Sequence, residues 1–187
     1  MINELRNKHG STLVLLVIII ASLILLGTLL LSITVSQYKI RKSNSDVKRA
    51  FYISENGLNE AYLRVLDLMC EAADESIIKA DEYISAMPDD LIGASVLFKN
   101  NYKQCILNNI VNTIYDNSNP YTDVTNNVGL AFISGKLTVK ISSKYITKSG
   151  IEKTTSVDIV ISVPEYVETK NNLIDFTALL MFNNFSL

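Results

Sequence analysis

The sequence of 187 residues contains few of the side chains from which catalytic and metal sites are usually built. Its one histidine, His9, precedes a long apolar segment, so a histidine-based triad is excluded from the rest of the chain. The two cysteines, Cys70 and Cys105, are too few for a disulfide-dense fold, and neither has a neighbouring Cys or His to form a zinc site. We therefore expect no catalytic residue, no metal site and no cofactor.

A surplus of basic charge is also missing. The chain has 17 Lys and Arg against 19 Asp and Glu, a net charge of −2, whereas nucleic-acid binding calls for a basic surplus. Nucleic acid is therefore not an expected partner. Three pairs of adjacent acids are interpreted as solvated helix faces or caps rather than as catalytic pairs. They are Asp74 with Glu75, Asp81 with Glu82, and Asp89 with Asp90.

One uncharged segment, residues 11–38, explains the mean hydropathy of +0.23. Within it, residues 13–31 would rise about 28 Å as a helix, enough to cross a hydrocarbon core of about 30 Å. A secretory signal peptide has a shorter apolar core of about 7–15 residues and a small-residue cleavage site. This run is longer and no such site follows it. The sequence therefore predicts a retained, single-pass membrane helix at residues 11–38.

The next segment, residues 39–69, has no proline, and its only glycine is Gly57. On a helical wheel its apolar side chains occupy one arc of about 120°. They are Ile40, Val47, Phe51, Leu58, Ala61, Tyr62, Val65, Leu68 and Met69. We predict one helix over about residues 11–69, apolar all round at first and amphipathic afterwards. The amphipathic half needs a partner surface, since a lone helix would leave its stripe in water.

The remaining chain has a helical part and then a strand part. Residues 71–86 are predicted as further helix ended by Pro88, and Asp89 or Asp90 as the cap of another helix that runs to about residue 116. Residues 117–120 and 123–127 have loop composition. Beyond Gly129 the apolar period changes to two, which predicts a hairpin at about 136–163 and a third strand at 129–134. The apolar tail, residues 173–187, is left open between strand and helix.

These elements predict an α+β fold. A long N-terminal helix packs on a C-terminal antiparallel sheet of about three strands at residues 129–164, with extra helices at residues 71–116.

Two stretches carry a family resemblance. Residues 10–16, GSTLVLL, follow a short leader that ends in Lys8, His9 and Gly10. Residues 50–61, AFYISENGLNEA, are similar to the pattern A-x-Y-x-A-E-x-G-L-x-x-A. Together with an apolar helix that continues as an amphipathic one, they resemble type IV prepilins and pseudopilins, most of all the PilX-type minor pilins. The resemblance covers roughly residues 8–65 and implies a pilin-like fold.

In that family a membrane-embedded prepilin peptidase cuts after the leader glycine and usually methylates the new N-terminus. The resemblance implies a cut between Gly10 and Ser11, a cytoplasmic leader at residues 1–10, a transmembrane and filament-core helix at 11–38, and an extracytoplasmic domain at 39–187. It places the protein in the cytoplasmic membrane and then in an extracellular filament or at the cell surface. The implied partners are the prepilin peptidase, other pilin subunits, the inner-membrane assembly machinery and membrane lipid.

Charge counting favours the opposite orientation. Two cations, Arg6 and Lys8, precede the apolar segment, and five follow it. Positive-inside counting alone would put the C-terminal side in the cytoplasm. The orientation implied by the resemblance is preferred here.

The resemblance also draws attention to Leu15 and Glu55. Leu15 is the fifth residue after the implied cut, where major pilins carry a Glu that offsets the charged N-terminus of a neighbouring subunit. An unpaired amine is costly in an apolar core, so the missing Glu favours a minor, initiating or tip subunit over a shaft subunit. It equally allows a protein that never polymerises. Glu55 lies at the edge of the apolar stripe, either as an assembly contact or as a solvent-facing helix residue.

In the implied compartment Cys70 and Cys105 either form a disulfide or remain two free buried thiols.

The sequence allows three functions. The first is a minor pilin or pseudopilin without catalysis, acting in filament assembly. The second is a single-pass membrane protein with an uncut leader and an outer ligand- or partner-binding domain. The third is a secreted or anchored enzyme, and it is the weakest because the sequence has no nucleophile–base pair and no metal set. The first two differ at the bond between Gly10 and Ser11.

Overall fold

The computed structural model describes the backbone of residues 2–126 and 128–186, and side chains within residues 12–126 and 128–184. Its elements are α1 (Ile2–Ala86), α2 (Leu91–Ile114), β1 (Tyr121–Val124), β2 (Lys136–Ile146), β3 (Glu152–Ser162), α3 (Tyr166–Lys170), α4 (Phe176–Leu179) and β4 (Leu180–Ser186). A long N-terminal helix packs on a four-stranded antiparallel sheet with shorter helices, so the predicted α+β, pilin-like fold is confirmed. The chain forms two compact units, Met1–Asp46 and Val47–Leu187.

The first unit is the N-terminal part of α1. Every side chain described from Thr12 to Ser45 is exposed. Leu is the most frequent residue between Thr12 and Ser45 and has a high helix propensity. The same segment contains no proline and only one glycine, Gly27. It obtains no stabilisation from packing within its unit.

In the second unit, α1 buries one face. The buried residues recur at spacings of three and four along one face: Ala50, Ser54, Leu58, Ala61, Val65, Leu68, Met69, Ala72, Ala73, Ser76 and Ala80. The predicted stripe is therefore confirmed from Leu58 to Met69, whereas Ile40 and Val47 are exposed and Phe51 is half-buried. The helical segments predicted at 11–69 and 71–86 form one helix, because no proline occurs before Pro88 and no glycine occurs between Gly57 and Pro88.

Helix α2 begins at a side-chain cap. The Asp90 carboxylate accepts a hydrogen bond from the Gly93 N–H at 2.8 Å, which confirms the capping alternative at Asp90. Its buried residues follow a four-residue spacing that places them along one side: Ala94, Phe98, Tyr102, Ile106, Ile110 and Ile114. From Tyr102 onward they join the α1 stripe and the sheet in one core cluster.

The sheet has the order β1-β2-β3-β4, with all neighbours antiparallel. In the central hairpin, Leu137 lies opposite Ile161 and Val139 opposite Ile159, and all four residues are buried. This is the hairpin predicted from alternation. The same alternation places polar residues of β2, such as Lys140, on the exposed face.

Two strand predictions need correction. The strand predicted at 129–134 is absent, because Ile133 bridges only Lys136 around a tight turn. The turn residues Ser134 and Gly135 have φ values of 50° and 77°, which an extended ladder does not accommodate. Two strands flank the predicted hairpin in the sheet. One is β1, which overlaps the loop predicted at 123–127, and the other is β4 in the tail. The tail contains both alternatives, since α4 leads directly into β4.

Candidate membrane and assembly residues

Part of α1 presents an unusually large apolar surface. Within the described part of the chain, it is the one helix long and apolar enough to cross a membrane. The large apolar side chains from Leu13 to Val35 are between 46% and 69% exposed. Soluble monomers rarely expose a continuous apolar surface of this extent. The segment therefore suits a membrane or a bundle of equally apolar helices.

The predicted processing residues lie at the start of this segment. The backbones of Gly10 and Ser11 belong to α1, and their side chains lie outside the described set. Leu15 is 60% exposed and offers an aliphatic surface with no charge or hydrogen-bonding group. Cleavage at Gly10 and the assembly role of Leu15 stay predictions.

The family-like segment at residues 50–61 forms the first buried turns of α1. Its residues Ala50, Ser54, Leu58 and Ala61 are buried at spacings of four, four and three. The Ser54 hydroxyl donates to the Phe51 carbonyl oxygen at 2.8 Å, so its polarity is satisfied within the helix. Small residues dominate this buried face, which allows the helix backbone to approach the sheet closely.

Helix α1 approaches the sheet closely at Gly57. A Cβ at this position would overlap the Oγ of Ser143 on β2 and would lie 2.9 Å from the Cγ of Pro120. The Ser143 hydroxyl is buried without a hydrogen-bond partner among the described residues, as is that of its cross-strand neighbour Thr155. Gly57 is therefore required by packing, and the sequence alone marked it only as the single glycine in the stripe.

Glu55 lies beside this contact and is half-buried. It has no ion-pair or hydrogen-bond partner in the described part of the chain. Its carboxylate thus remains accessible at the edge of the buried face. This leaves both alternatives open, an assembly contact or a solvent-facing helix residue.

A polar clamp that the sequence did not reveal joins α1 to the end of α2 and to β1. Arg64 contacts the Asp116 carboxylate at 2.9 Å and donates to the Thr122 hydroxyl at 3.1 Å. Thr122 in turn donates to the Ile114 carbonyl oxygen at 2.7 Å. Hydrogen bonds from Ser118, and then from Arg64, lower the pKa of Asp116 below its ordinary value.

A second polar cluster lies further along α1. Asp81 accepts hydrogen bonds from Lys170, at 2.7 Å, and from the Tyr166 hydroxyl. Those bonds lower the pKa of Asp81, with the Lys170 bond as the larger cause. One member of a predicted acidic pair thus holds α3 to α1, and Asp90 caps α2. Both act as structural anchors.

Cys70 and Cys105 are both free and half-buried in the structure, and a disulfide between them stays a prediction. Burial is the main cause that raises the pKa of both thiols. The Cys105 sulfur lies 3.8 Å from a Glu75 carboxylate oxygen, which raises its pKa further. Raised pKa values keep both groups as poorly reactive thiols near neutral pH.

No group of three or more His, Cys, Asp or Glu residues able to hold a metal ion occurs among the residues that the structure describes. Comparison of the chain with protein-family models, with curated proteins and with solved structures gives no match in any of the three.

Proposed function

We propose that this chain is a minor pilin or pseudopilin, acting without catalysis in the assembly, initiation or tip of a type IV pilus-like filament. One observation carries the proposal. The segment whose sequence resembles PilX-type minor pilins, residues 50–61, is the segment in which α1 buries small residues and brings Gly57 close to Ser143 of the sheet. The residues that carry the resemblance are thus also residues that pack closely in the fold.

In the proposed function the two parts of α1 have different tasks. The exposed apolar part anchors the chain in the cytoplasmic membrane as a single pass with its N-terminus inside. The prepilin peptidase removes residues 1–10, and Ser11 becomes the N-terminus. The assembly machinery then extracts the subunit, and its apolar helix packs among those of other subunits. Leu15 supplies no carboxylate for a neighbouring amine, which suits a subunit used at the start or tip.

The processing step is tested by intact-mass measurement of the protein extracted from membranes of cells with an active prepilin peptidase. We expect the loss of residues 1–10, with or without one added methyl group. Gly10→Val should leave the leader attached, because the peptidase in the resembling family cuts after glycine. Gly27→Ala is the matched control and should be cut normally, since nothing lies within 4 Å of its added Cβ. An intact Met1 terminus on the wild type would contradict the proposal.

A second candidate is a single-pass membrane protein with an uncut leader and an extracytoplasmic ligand- or partner-binding domain. Leu15 fits this candidate equally well, because a chain that never polymerises needs no carboxylate to pair with a neighbouring amine. The same mass measurement separates the two, since this candidate retains Met1.

A further inference from the structure

A short basic segment lies immediately after the apolar part of α1 in the chain. Lys39, Arg41 and Lys42, here called the basic collar, are all exposed, and Tyr38 before them is 66% exposed. No acidic residue occurs between Glu4 and Asp46. The collar is therefore a local concentration of positive charge in a chain whose net charge is −2.

The collar lies at the depth of lipid headgroups if the preceding segment spans a membrane. At about 1.5 Å per residue, Lys39 lies about 6 Å beyond Val35, the last large apolar residue before Tyr38, and Lys42 lies about 10 Å beyond it. The headgroup layer on each side of a bilayer is about 5 to 7 Å thick, so the backbone at Lys39 lies within it. The long side chains of Arg41 and Lys42 reach back to it from just outside. Tyrosine is enriched at that boundary, which fits Tyr38.

The three cations also point to different sides of the helix. At about 100° per residue, positions 39, 41 and 42 lie at about 0°, 200° and 300° around its axis. A docked protein covers one face of a helix, whereas headgroups surround a membrane helix on all sides. This distribution favours lipid over a protein partner.

We propose that the basic collar binds anionic lipid headgroups, such as phosphatidylglycerol, in the leaflet where the helix leaves the membrane. The inference rests on the membrane-anchored part of the proposed function and is independent of leader cleavage. The competing occupant is a second copy of the chain. Its residues 60–90 carry nine acids and only two basic residues, Arg64 and Lys79.

The test uses the full chain in phosphatidylcholine vesicles that contain a trace of spin-labelled phosphatidylglycerol or phosphatidylcholine. Electron paramagnetic resonance compares how strongly the two labelled lipids associate with the protein. For the wild type at low salt we expect a preference for phosphatidylglycerol of about fivefold or more, the factor that one Lys or Arg gains near an anionic surface. The preference should fall in about 1 M salt, where the screening length is about 3 Å.

Three variants separate the collar from general charge effects. K39Q/R41Q/K42Q should show no preference, whereas the charge-conserving K39R/R41K/K42R should retain it. K136Q/K140Q/K148Q removes three exposed cations from the sheet region and should behave like the wild type. Each of three results would overturn the proposal. The wild type could show no preference for phosphatidylglycerol, K39Q/R41Q/K42Q could keep the preference, or K136Q/K140Q/K148Q could lose it.

Two further outcomes are distinguishable. In the first, differently labelled copies show resonance energy transfer in pure phosphatidylcholine vesicles, and the transfer is lost in K39Q/R41Q/K42Q. If the wild type also shows no lipid preference, this result would overturn the lipid proposal in favour of the second copy. A collar-dependent lipid preference in a protein that keeps Met1 would support the lipid proposal while contradicting the pilin function.

Discussion

At the scale of single residues, Gly57 shows how a sequence pattern acquires a physical meaning. The sequence identified it as the one glycine in the amphipathic stripe and as part of the family-like segment. The reason for a glycine there is the approach of Ser143 and Pro120. Both lie more than 60 residues away in the chain, and no local pattern connects them to position 57.

Gly57→Ala should lower the thermal midpoint of the full chain in detergent. Alanine favours the helix by about 1 kcal/mol, but overpacking costs about 1–3 kcal/mol. The added Cβ overlaps Ser143 Oγ, so Ser143→Ala in the same chain should restore part of the loss. Gly27→Ala, whose Cβ meets nothing, is the control and should not lower the midpoint. An unchanged or raised midpoint for Gly57→Ala would mean that the helix does not approach the sheet this closely.

The Arg64 clamp gives a prediction about acid. Because the folded pKa of Asp116 is lowered, the ionised carboxylate stabilises the fold above the unfolded pKa, and this contribution is lost as pH falls through the folded value. Asp116→Asn should therefore destabilise the chain at neutral pH and make little difference well below pH 3.8, the ordinary Asp value. Urea unfolding of both proteins at neutral and acidic pH measures this. If the two proteins differed in free energy of unfolding by the same amount at both pH values, the electrostatic explanation would be wrong.

The clamp could not have been found from the sequence. Arg64 and Asp116 are 52 residues apart, and each resembles the other charged residues of a solvated helix face. The capping role of Asp90 was predictable, because a cap and its helix are neighbours in the chain.

At the scale of elements, periodicity decided what was predictable. The central hairpin alternates over 11-residue strands, and the α1 stripe repeats over several turns, so both were predicted. Strand β1 has only four residues and follows Pro120, which hides its alternation among loop residues. The segment at 129–134 is apolar enough for a strand, but positive φ angles at Gly129, Ser134 and Gly135 turn the chain instead.

The contact between α1 and the sheet is tested at Leu58, which is 2% exposed. Leu58→Asp places an unpaired charge in the core and should cost several kcal/mol of the free energy of unfolding. Glu60→Lys, two residues away on the exposed face, should stay within about 0.5 kcal/mol of the wild type. Chemical denaturation of the full chain in detergent gives both values. Equal stability of the two variants would show that the stripe is not a core face. Phe51, also in the predicted stripe, is a weaker probe because it is half-buried.

At the scale of the whole molecule, the two units have different needs. The second unit buries its own core between α1, α2 and one face of the sheet. The first unit leaves its described side chains exposed up to Ser45, so its apolar surface requires lipid or other apolar helices. Composition marks the apolar segment at residues 11–38, because it carries no charge, whereas the second compact unit begins at Val47.

The proposed role as a scarce assembly subunit is tested most directly by quantitative mass spectrometry of sheared and purified filaments. The measurement gives the ratio of this chain to the major subunit and identifies the N-terminal residue of the incorporated form. We expect a chain that begins at Ser11, present as a small minority beside a subunit that carries Glu at its fifth position. Three results would contradict that role: the chain is absent from the filaments, its incorporated form still begins at Met1, or it is the major component.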